Sequence, residues 1–373
     1  MLSDRRTMLT ATAAVLATGP ALAAPRREKS WFDSALIIDG LGGTGDPRAG
    51  EGISRMTDAT WAELQATGVT AVRTTVMPVG NVADGWADFE SALEGEEEFL
   101  AANPDRLLLA RTAADIARAK REGKHAVVLG TQDTSMVGPE LDRLKEIKAR
   151  GVNSVQLTYN NANLAGDGAL ETRDAGLTKL GKATIERLEA EKILLDLSHG
   201  GARTMAEAAA FAKRPLVISH TGARALADHP RNTADATMRA VAEKGGVIGL
   251  YFMPFLTLDS QPQGEALLRH VDHVANLVGE DHVAVGTDNG PLPMIIDDET
   301  RERNRKWALE RIKAGIASPG EGPEVFPIVA DYNSIDRYRR FADDLARRGW
   351  PQRRLEKLMG TNLLRVYRDV WGG

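Results

Sequence analysis

The sequence predicts one α/β domain, a single (β/α)8 barrel of the triosephosphate isomerase type with additional C-terminal helices. Short β-branched apolar runs alternate with longer amphipathic stretches along most of the chain, which is the pattern of strands joined by helices. Eight such runs occur, and most are continuously apolar, as expected of parallel strands covered on both faces. A chain of 373 residues with 43% hydrophobic side chains accommodates one such barrel. A doubly wound open sheet is disfavoured because no Gly-x-Gly-x-x-Gly follows any predicted strand.

The individual elements are assigned from this alternation. Strands are predicted at residues 35–39, 70–74, 126–130, 154–158, 193–196, 216–219, 247–250 and 283–286, with an additional short strand at 107–111. Helices are predicted between them at 113–122, 180–191, 203–212, 236–244 and 264–278. A charged segment punctuated by Gly and Pro, residues 297–327, contains a predicted polar helix at 299–312 and is expected to cap the barrel mouth. Residues 333–371 predict two more helices, interrupted by Gly-Trp-Pro at 349–351.

The first 24 residues predict a cleaved export signal of the twin-arginine type, and residues 30–373 the barrel domain. Arg5 and Arg6 precede an uncharged stretch rich in Ala, Leu and Thr, and Ala-Leu-Ala at 21–23 supplies a small-residue cleavage site. An uncleaved membrane anchor is the alternative, but the stretch is shorter than the ~20 apolar residues that a span requires. We therefore expect a soluble periplasmic protein that uses the twin-arginine export machinery.

The composition excludes several classes of function. The chain has no cysteine, which rules out thiol catalysis, disulfides, iron–sulfur clusters and cysteine-bound zinc. Lys and Arg total 47 against 52 Asp and Glu, for a net charge of −5, so we expect no nucleic-acid partner. The absence of a repeat array disfavours a structural or adhesive role. A homodimer is left open. Any metal must be held by carboxylates, amides or some of the seven histidines.

Polar side chains gather at the carboxyl ends of the predicted strands, where (β/α)8 barrels carry their chemistry. His199 and His220 follow successive strands, each after a serine, and neutral imidazoles on adjacent strands can share one divalent ion. Asp288 follows the last strand and would complete a zinc site of two histidines and a carboxylate. The alternative is that each histidine only bonds its neighbours. The other histidines are expected to be structural or exposed: His125, His229, His270, His273 and His282.

Five segments resemble the renal (membrane) dipeptidase family of zinc peptidases. They are Leu-Asp-Leu-Ser-His at 195–199, Ile-Ser-His-Thr-Gly-Ala-Arg-Ala-Leu at 218–226, His-Pro-Arg-Asn-Thr at 229–233, Asp-His-Val-Ala-Val-Gly-Thr-Asp at 281–288 and Gly-Thr-Asn-Leu-Leu-Arg-Val at 360–366. Their order and spacing match the family from residue 37 to residue 371. The resemblance implies the same barrel and a hydrolase that acts on a dipeptide or a similar small amide.

The resemblance also implies roles for individual residues. The family binds two zinc ions, bridged by a glutamate and by a hydroxide that attacks the scissile carbonyl. His199 and His220 resemble the ligands of the second zinc, and Asp288 resembles the acid/base that passes a proton to the leaving amine. Arg231 resembles the residue that grips the substrate carboxylate. Tyr159 stands in place of a substrate-binding histidine and is expected to donate a hydrogen bond to the developing oxyanion.

The ligands of the family's first zinc are missing. The opening Asp-Gly-His-x-Asp reads Asp-Gly-Leu-Gly-Gly at 39–43, so Leu41 and Gly43 replace a histidine and an aspartate. Gln132 replaces the bridging glutamate, and either Gln132 itself or the neighbouring carboxylate of Asp133 is the candidate helper ligand. We therefore expect one zinc ion at most, or none. A non-hydrolytic tailoring or accessory binding protein for a modified peptide, as in siderophore maturation, is the alternative function.

Overall fold

Nine parallel strands form one sheet in the computed structural model, which describes residues 30–43, 54–77, 79–80, 84–258 and 260–372. The predicted export signal at 1–24 lies outside these residues. The strands are β1 Ile38–Asp39, β2 Ala71–Thr75, β3 Leu107–Leu109, β4 His125–Thr131, β5 Val152–Gln156, β6 Leu194–Asp196, β7 Val217–Thr221, β8 Val247–Leu250 and β9 Val283–Val285. Every predicted strand overlaps an observed one, including the additional short strand, which is β3.

The sheet closes into a barrel. Its strands follow one another in the order β1, β2, β4, β5, β6, β7, β8 and β9, while β3 pairs only with the first part of β4. The two ends of this series are joined by backbone hydrogen bonds: Gly40 donates to Val285 (2.9 Å) and Asp288 donates to Leu41 (2.8 Å). The predicted (β/α)8 class is therefore confirmed, and the carboxyl ends of all the barrel strands open at one mouth.

Helices surround the barrel. They are α1 Trp31–Ser34, α2 Asp58–Thr67, α3 Gly85–Ala102, α4 Ala113–Glu122, α5 Arg143–Arg150, α6 Lys179–Ala190, α7 Ala202–Phe211, α8 Asp235–Glu243, α9 Gly264–Val278, α10 Asp298–Lys313, α11 Arg337–Arg347, α12 Gln352–Glu356 and α13 Asn362–Trp371. Short 3-10 turns occur at Pro254–Leu256, Glu280–His282 and Ala330–Tyr332. The predicted helices appear as α4, α6, α7, α8, α9 and α10, each within one residue of its predicted bounds.

The C-terminal region contains the predicted break, and one more that the sequence did not predict. Pro351 is the residue before α12, in an extended conformation that cannot continue α11. A π-helical turn at Lys357–Thr361 then separates α12 from α13, so the region contains three helices where two were predicted.

The apolar faces of the strands and of the surrounding helices pack against each other and form the core. In the part of the chain that the structure describes, no helix combines the length and apolar character needed to cross a bilayer.

Candidate active site

The two candidate ligand histidines meet at the barrel mouth. His199 comes just after β6, in the left-handed region with φ 64°, and His220 lies in the neighbouring strand β7. Both rings are buried, and they pack in an edge-to-face arrangement with their centroids 4.9 Å apart. The prediction that adjacent strands bring these imidazoles together is confirmed.

Two glycines allow β7 to bend inward at this point. The register of β7 against β8 shifts between Ile218 and Thr221, so the strand bulges at Ser219 and His220. The Ser219 carbonyl oxygen then lies so close to Gly249 of β8 and Gly286 after β9 that a Cβ on either would overlap it. Only glycine therefore fits these two positions, and the position of His220 depends on them.

The hydrogen bonds around His220 determine which ring nitrogen carries the proton. The Ser219 hydroxyl lies 2.5 Å from Oδ2 of Asp196, a carboxylate that can only accept, so the hydroxyl proton is donated there. Nδ1 of His220, 2.8 Å from the same hydroxyl oxygen, must then be the donor in that contact. The Nε2 atom therefore carries a lone pair, and it is buried without a hydrogen-bond partner.

The same reasoning applies to His199. The Asn160 amide donates through Nδ2 to the carbonyl of Ile316 (2.8 Å), which turns Oδ1 toward Nδ1 of His199 (2.6 Å). Nδ1 therefore donates, and Nε2 is again a buried lone pair without a partner. Burial lowers the pKa of both imidazoles well below the usual range, and the charge of Arg231 lowers it further, so both rings are neutral.

Two neutral imidazoles with free Nε2 atoms fit a divalent metal, but the described residues provide no third ligand. No three side chains among His, Asp and Glu converge there as a metal site within the described ranges. Asp288 is thus not brought into a three-ligand group with the histidines. Oδ1 of Asp133 accepts instead from the Ser135 N–H (2.5 Å) and from the amide of Asn163 (3.2 Å). The amide of Gln132 donates to the Thr75 hydroxyl of β2 (3.0 Å).

At the positions where the family binds its first zinc, this chain has residues that cannot ligate a metal. Leu41 is buried, and Gly43 presents no side chain. The carboxylate of Asp39 accepts from the Thr287 hydroxyl (2.6 Å) and the Tyr338 hydroxyl (2.6 Å), and burial raises its pKa. These bonds tie the start of the barrel to its end and to α11, so Asp39 serves the fold.

A buried arginine, which sequence reasoning missed, lies inside the barrel beside the histidines. Arg73 of β2 is 1% exposed and donates to Oδ2 of Asp196 (3.0 Å) and to the backbone carbonyl of Thr131. The only signal in the sequence was a charged residue in an otherwise apolar strand. Its positive charge lowers the pKa of both His199 and His220.

Asp288 has the properties of a group that exchanges protons near neutral pH. It follows β9, and its backbone lies in the left-handed region with φ 60°. Few of the described non-glycine residues adopt this conformation, and His199 is another of them. Burial raises its pKa to about 7, although Arg231 and Arg311 act in the opposite direction. An acid/base with this pKa can both accept and donate a proton under ordinary conditions.

Two further side chains present hydrogen-bond donors. Arg231 is buried, and its Nη2 atom has no partner. Tyr159 stacks on His199 with ring centroids 4.2 Å apart, and its hydroxyl oxygen accepts from Nη1 and Nη2 of Arg311 (3.4 Å each). Burial raises the pKa of Tyr159, so its own proton stays available for donation. Arg311 lies on α10, in the segment predicted to cap the mouth, and was not predicted as a site residue.

The five remaining histidines make structural hydrogen bonds, as predicted. Each bonds a backbone carbonyl or, in one case, a carboxylate. They are His125, His229, His270, His273 and His282.

The chain is similar to known dipeptidases and to an amidohydrolase. A family model described as membrane dipeptidase, peptidase family M19, matches residues 56–302. An uncharacterized protein from the region 5′ of pqqA in Klebsiella pneumoniae is 30% identical over 286 residues, covering 74% of this chain and 93% of that protein. Dipeptidase tcpJ of Claviceps purpurea is 27% identical over 270 residues, covering 71% of this chain but only 56% of that protein. A crystal structure of an amidohydrolase from Pseudomonas aeruginosa has 28% identity and a TM-score of 0.76, covering 92% of this chain and 98% of that one.

The close approach at Gly286 leads to a test of how β7 is held. We expect Gly286→Ala to destabilise the protein by about 3 kcal/mol or more, because the new methyl group meets the backbone of Ser219. Gly290→Ala is the control, since a Cβ there has nothing within 4 Å. Urea denaturation compares the two; equal free energies of unfolding would contradict the inward bulge.

The raised pKa of Asp288 predicts a pH-dependent stability difference. A carboxyl with a pKa of about 7 when folded and 3.8 ordinarily favours the folded state below pH 3.8, and this contribution is lost as the pH rises through 7. Asp288→Asn cannot ionise. We therefore expect it to match the wild type near pH 4 and to exceed it at pH 8 by roughly 2–4 kcal/mol. Denaturation of the metal-free proteins at both pH values measures this, and a difference independent of pH would disprove it.

Proposed function

The chain belongs to the membrane dipeptidase family, peptidase family M19, and from this premise we propose that it is an exported hydrolase that cleaves a dipeptide or similar small amide with one zinc ion at most. Membership makes it a dipeptidase-like hydrolase of a zinc-dependent family. The observation that supports hydrolysis with one zinc ion at most is the pair of buried Nε2 atoms of His199 and His220, which have no hydrogen-bond partner. Around them lie the other groups that hydrolysis of an amide requires.

Arg231 supports binding of a substrate with a free carboxylate. Its Nη2 atom is buried and unpaired, so a carboxylate that enters the site would complete its hydrogen bonding with a charge-assisted bond. The electrostatic influence of Arg231 reaches His199, Asp288 and Tyr159. A small peptide whose C-terminus is held by this arginine therefore places its amide bond among these groups.

Tyr159 and Asp288 support the two roles that charge development and proton transfer demand. The Tyr159 hydroxyl accepts from Arg311 and keeps its own proton for an oxyanion that forms on the scissile carbonyl. Asp288, with a pKa of about 7, takes the proton of the attacking water and returns it to the leaving amine. His199 and His220 would hold a zinc ion through Nε2. When bound, such an ion supplies Lewis acidity and lowers the pKa of a bound water.

The expected export rests on the twin arginines at positions 5 and 6 and the small-residue cleavage site that follows them. Folding before export would let such a protein acquire its metal inside the cell. The periplasm would then be its place of action.

A specific observation favours a second candidate. The described residues form no three-ligand metal group, and the guanidinium of Arg73, paired with Asp196, occupies the barrel interior beside the histidine pair. A barrel with these properties suits a tailoring or accessory binding protein for a modified peptide. Its arginine and imidazole groups would then bind the ligand without hydrolysing it.

Metal content separates the two candidates. We expect the protein purified from its native export route to contain up to one zinc ion per chain, and His199→Ala or His220→Ala to contain none. His273→Ala, which removes a partly exposed histidine paired with Asp235, is the matched control. Plasma mass spectrometry of the four proteins tests this. Two ions per chain would contradict the proposal, whereas no metal and no turnover across a dipeptide panel would favour the second candidate.

Arg231 predicts selectivity for substrates that end in a carboxylate. We expect Arg231→Leu to lower kcat/KM for dipeptides by about 10- to 100-fold, the effect of losing one charged hydrogen bond, and to change hydrolysis of the matching dipeptide amides little. Arg224→Leu is the control, because Arg224 lies at the surface and pairs with Asp228. Steady-state kinetics on the dipeptides and on their amides test this prediction. Equal losses of kcat/KM on the two kinds of substrate would show that Arg231 does not bind the carboxylate.

A further inference from the structure

The segment after α10 lies directly on the active site. We define the lid as α10 together with residues 314–321. Two of its backbone carbonyls accept from site-side residues: Ile316 from Asn160 (2.8 Å) and Pro319 from Nε2 of His229 (2.7 Å). The lid also contacts Tyr159 through Arg311. The segment predicted to cap the mouth therefore does so by bonding residues that follow several different strands.

We propose that Asn160 is a positioning residue that couples the seating of the lid to the tautomer of His199, so that the Nε2 lone pair is held in the site only while the lid is seated. This coupling would regulate the site of the proposed function and in that sense rests on it. Its test reads the tautomer in metal-free protein, so the two proposals can fail separately.

The first step of the argument is the orientation of the Asn160 amide. A side-chain amide has one donor end and one acceptor end. The carbonyl of Ile316 can only accept, so it selects the orientation in which Nδ2 faces the lid and Oδ1 faces the barrel. Rotating the amide by half a turn would place two oxygen atoms against each other in a fully buried position.

The second step is the effect of that orientation on His199. With Oδ1 at 2.6 Å from Nδ1, only the tautomer protonated on Nδ1 forms a hydrogen bond. The other tautomer would set two lone pairs against each other. If the amide were reversed, Nδ2 would donate to Nδ1 and the proton would move to Nε2. The orientation of the amide and the tautomer of the imidazole therefore change together.

The third step is the contribution of the lid. When the lid is seated, the Ile316 carbonyl allows one amide orientation and hence one tautomer of His199. When the lid moves away, nothing in that hydrogen-bond chain distinguishes the two orientations, and both tautomers become accessible. A protonated Nε2 cannot ligate a metal ion or accept a hydrogen bond from a substrate.

His220 provides an internal contrast. Its Nδ1 proton is held by Ser219, whose hydroxyl is committed to Asp196, and both partners belong to the barrel. The tautomer of His220 is therefore independent of the lid. One imidazole of the pair responds to lid seating and the other does not.

Within the lid, Arg311 holds the accepting carbonyl in place. Its guanidinium donates to the Ile316 carbonyl (3.2 Å) and forms a buried ion pair with Glu321 (2.8 Å). The same group reaches Tyr159 across the mouth. Removing Arg311 should therefore unseat the loop while leaving Asn160 and His199 chemically intact.

The test is nitrogen NMR of histidine-labelled, metal-free protein at neutral pH, in which long-range proton–nitrogen correlations distinguish the two tautomers. In the wild type we expect His199 and His220 both to be protonated on Nδ1. In Asn160→Leu, which keeps the volume but removes both hydrogen bonds, we expect His199 to populate the Nε2-protonated form and His220 to remain unchanged. The unchanged His220 signal also reports that the barrel is folded.

Arg311→Met tests the lid itself, with Arg303→Met, an exposed arginine on the same helix, as the matched control. We expect Arg311→Met to shift His199 in the same direction as Asn160→Leu, and Arg303→Met to leave it as in the wild type. Zinc titration of the same proteins should show at least about 10-fold weaker binding for Asn160→Leu and Arg311→Met than for the wild type, the usual effect of losing a partner of a ligating histidine. A His199 that stays protonated on Nδ1 in Asn160→Leu overturns the role of Asn160. A shift in Asn160→Leu but none in Arg311→Met overturns the coupling to the lid.

Discussion

The buried carboxylate of Asp196 is the group around which the site is built. Its Oδ1 accepts from the backbone N–H groups of Ser198 and Ser219 (3.0 Å each), and its Oδ2 accepts from the Ser219 hydroxyl and from Arg73. These bonds join β2, β6 and β7 and place the residues before both His199 and His220. Removing one partner of such a buried pair leaves an uncompensated charge, which typically costs about 3–5 kcal/mol. That cost reflects the charge left unpaired and not a net gain from the pair, so the ion pair matters chiefly for the geometry that it imposes on the histidines.

The residues at the family's first zinc site also bear on the metal question. Family members with a complete site place two cations in the barrel, whereas here Leu41 and Gly43 stand in place of two ligands of the first zinc. Arg73 adds no net charge there, because its guanidinium is paired with the buried Asp196 carboxylate (3.0 Å). The loss of the first-site ligands is therefore the observation behind the proposal of one zinc ion at most.

Much of the fold followed from periodicity, because parallel strands buried on both faces have an apolar signature that survives without tertiary information. The pairing of His199 with His220 followed as well, since strand order places successive strand ends together. Contacts that depend on loop conformation did not follow. Arg311 is far from Tyr159 in the sequence, and the carbonyl that orients Asn160 belongs to an insertion whose path no pattern specifies. Among the described residues Asp288 also does not form a three-ligand group with the histidines, which strand order alone could not reveal.

The site thus combines parts of two kinds. His220 and its hydrogen-bond partners belong to the barrel, and their positions are set when the strands pair. The groups that touch the lid depend on it: His199 through Asn160, Tyr159 through Arg311 and Arg231 through His229. In the last case His229 donates to the lid carbonyl of Pro319 and accepts from the backbone N–H of Arg231 (3.1 Å). All three of these contacts end on the lid, so a displacement of the lid would disturb the three groups together.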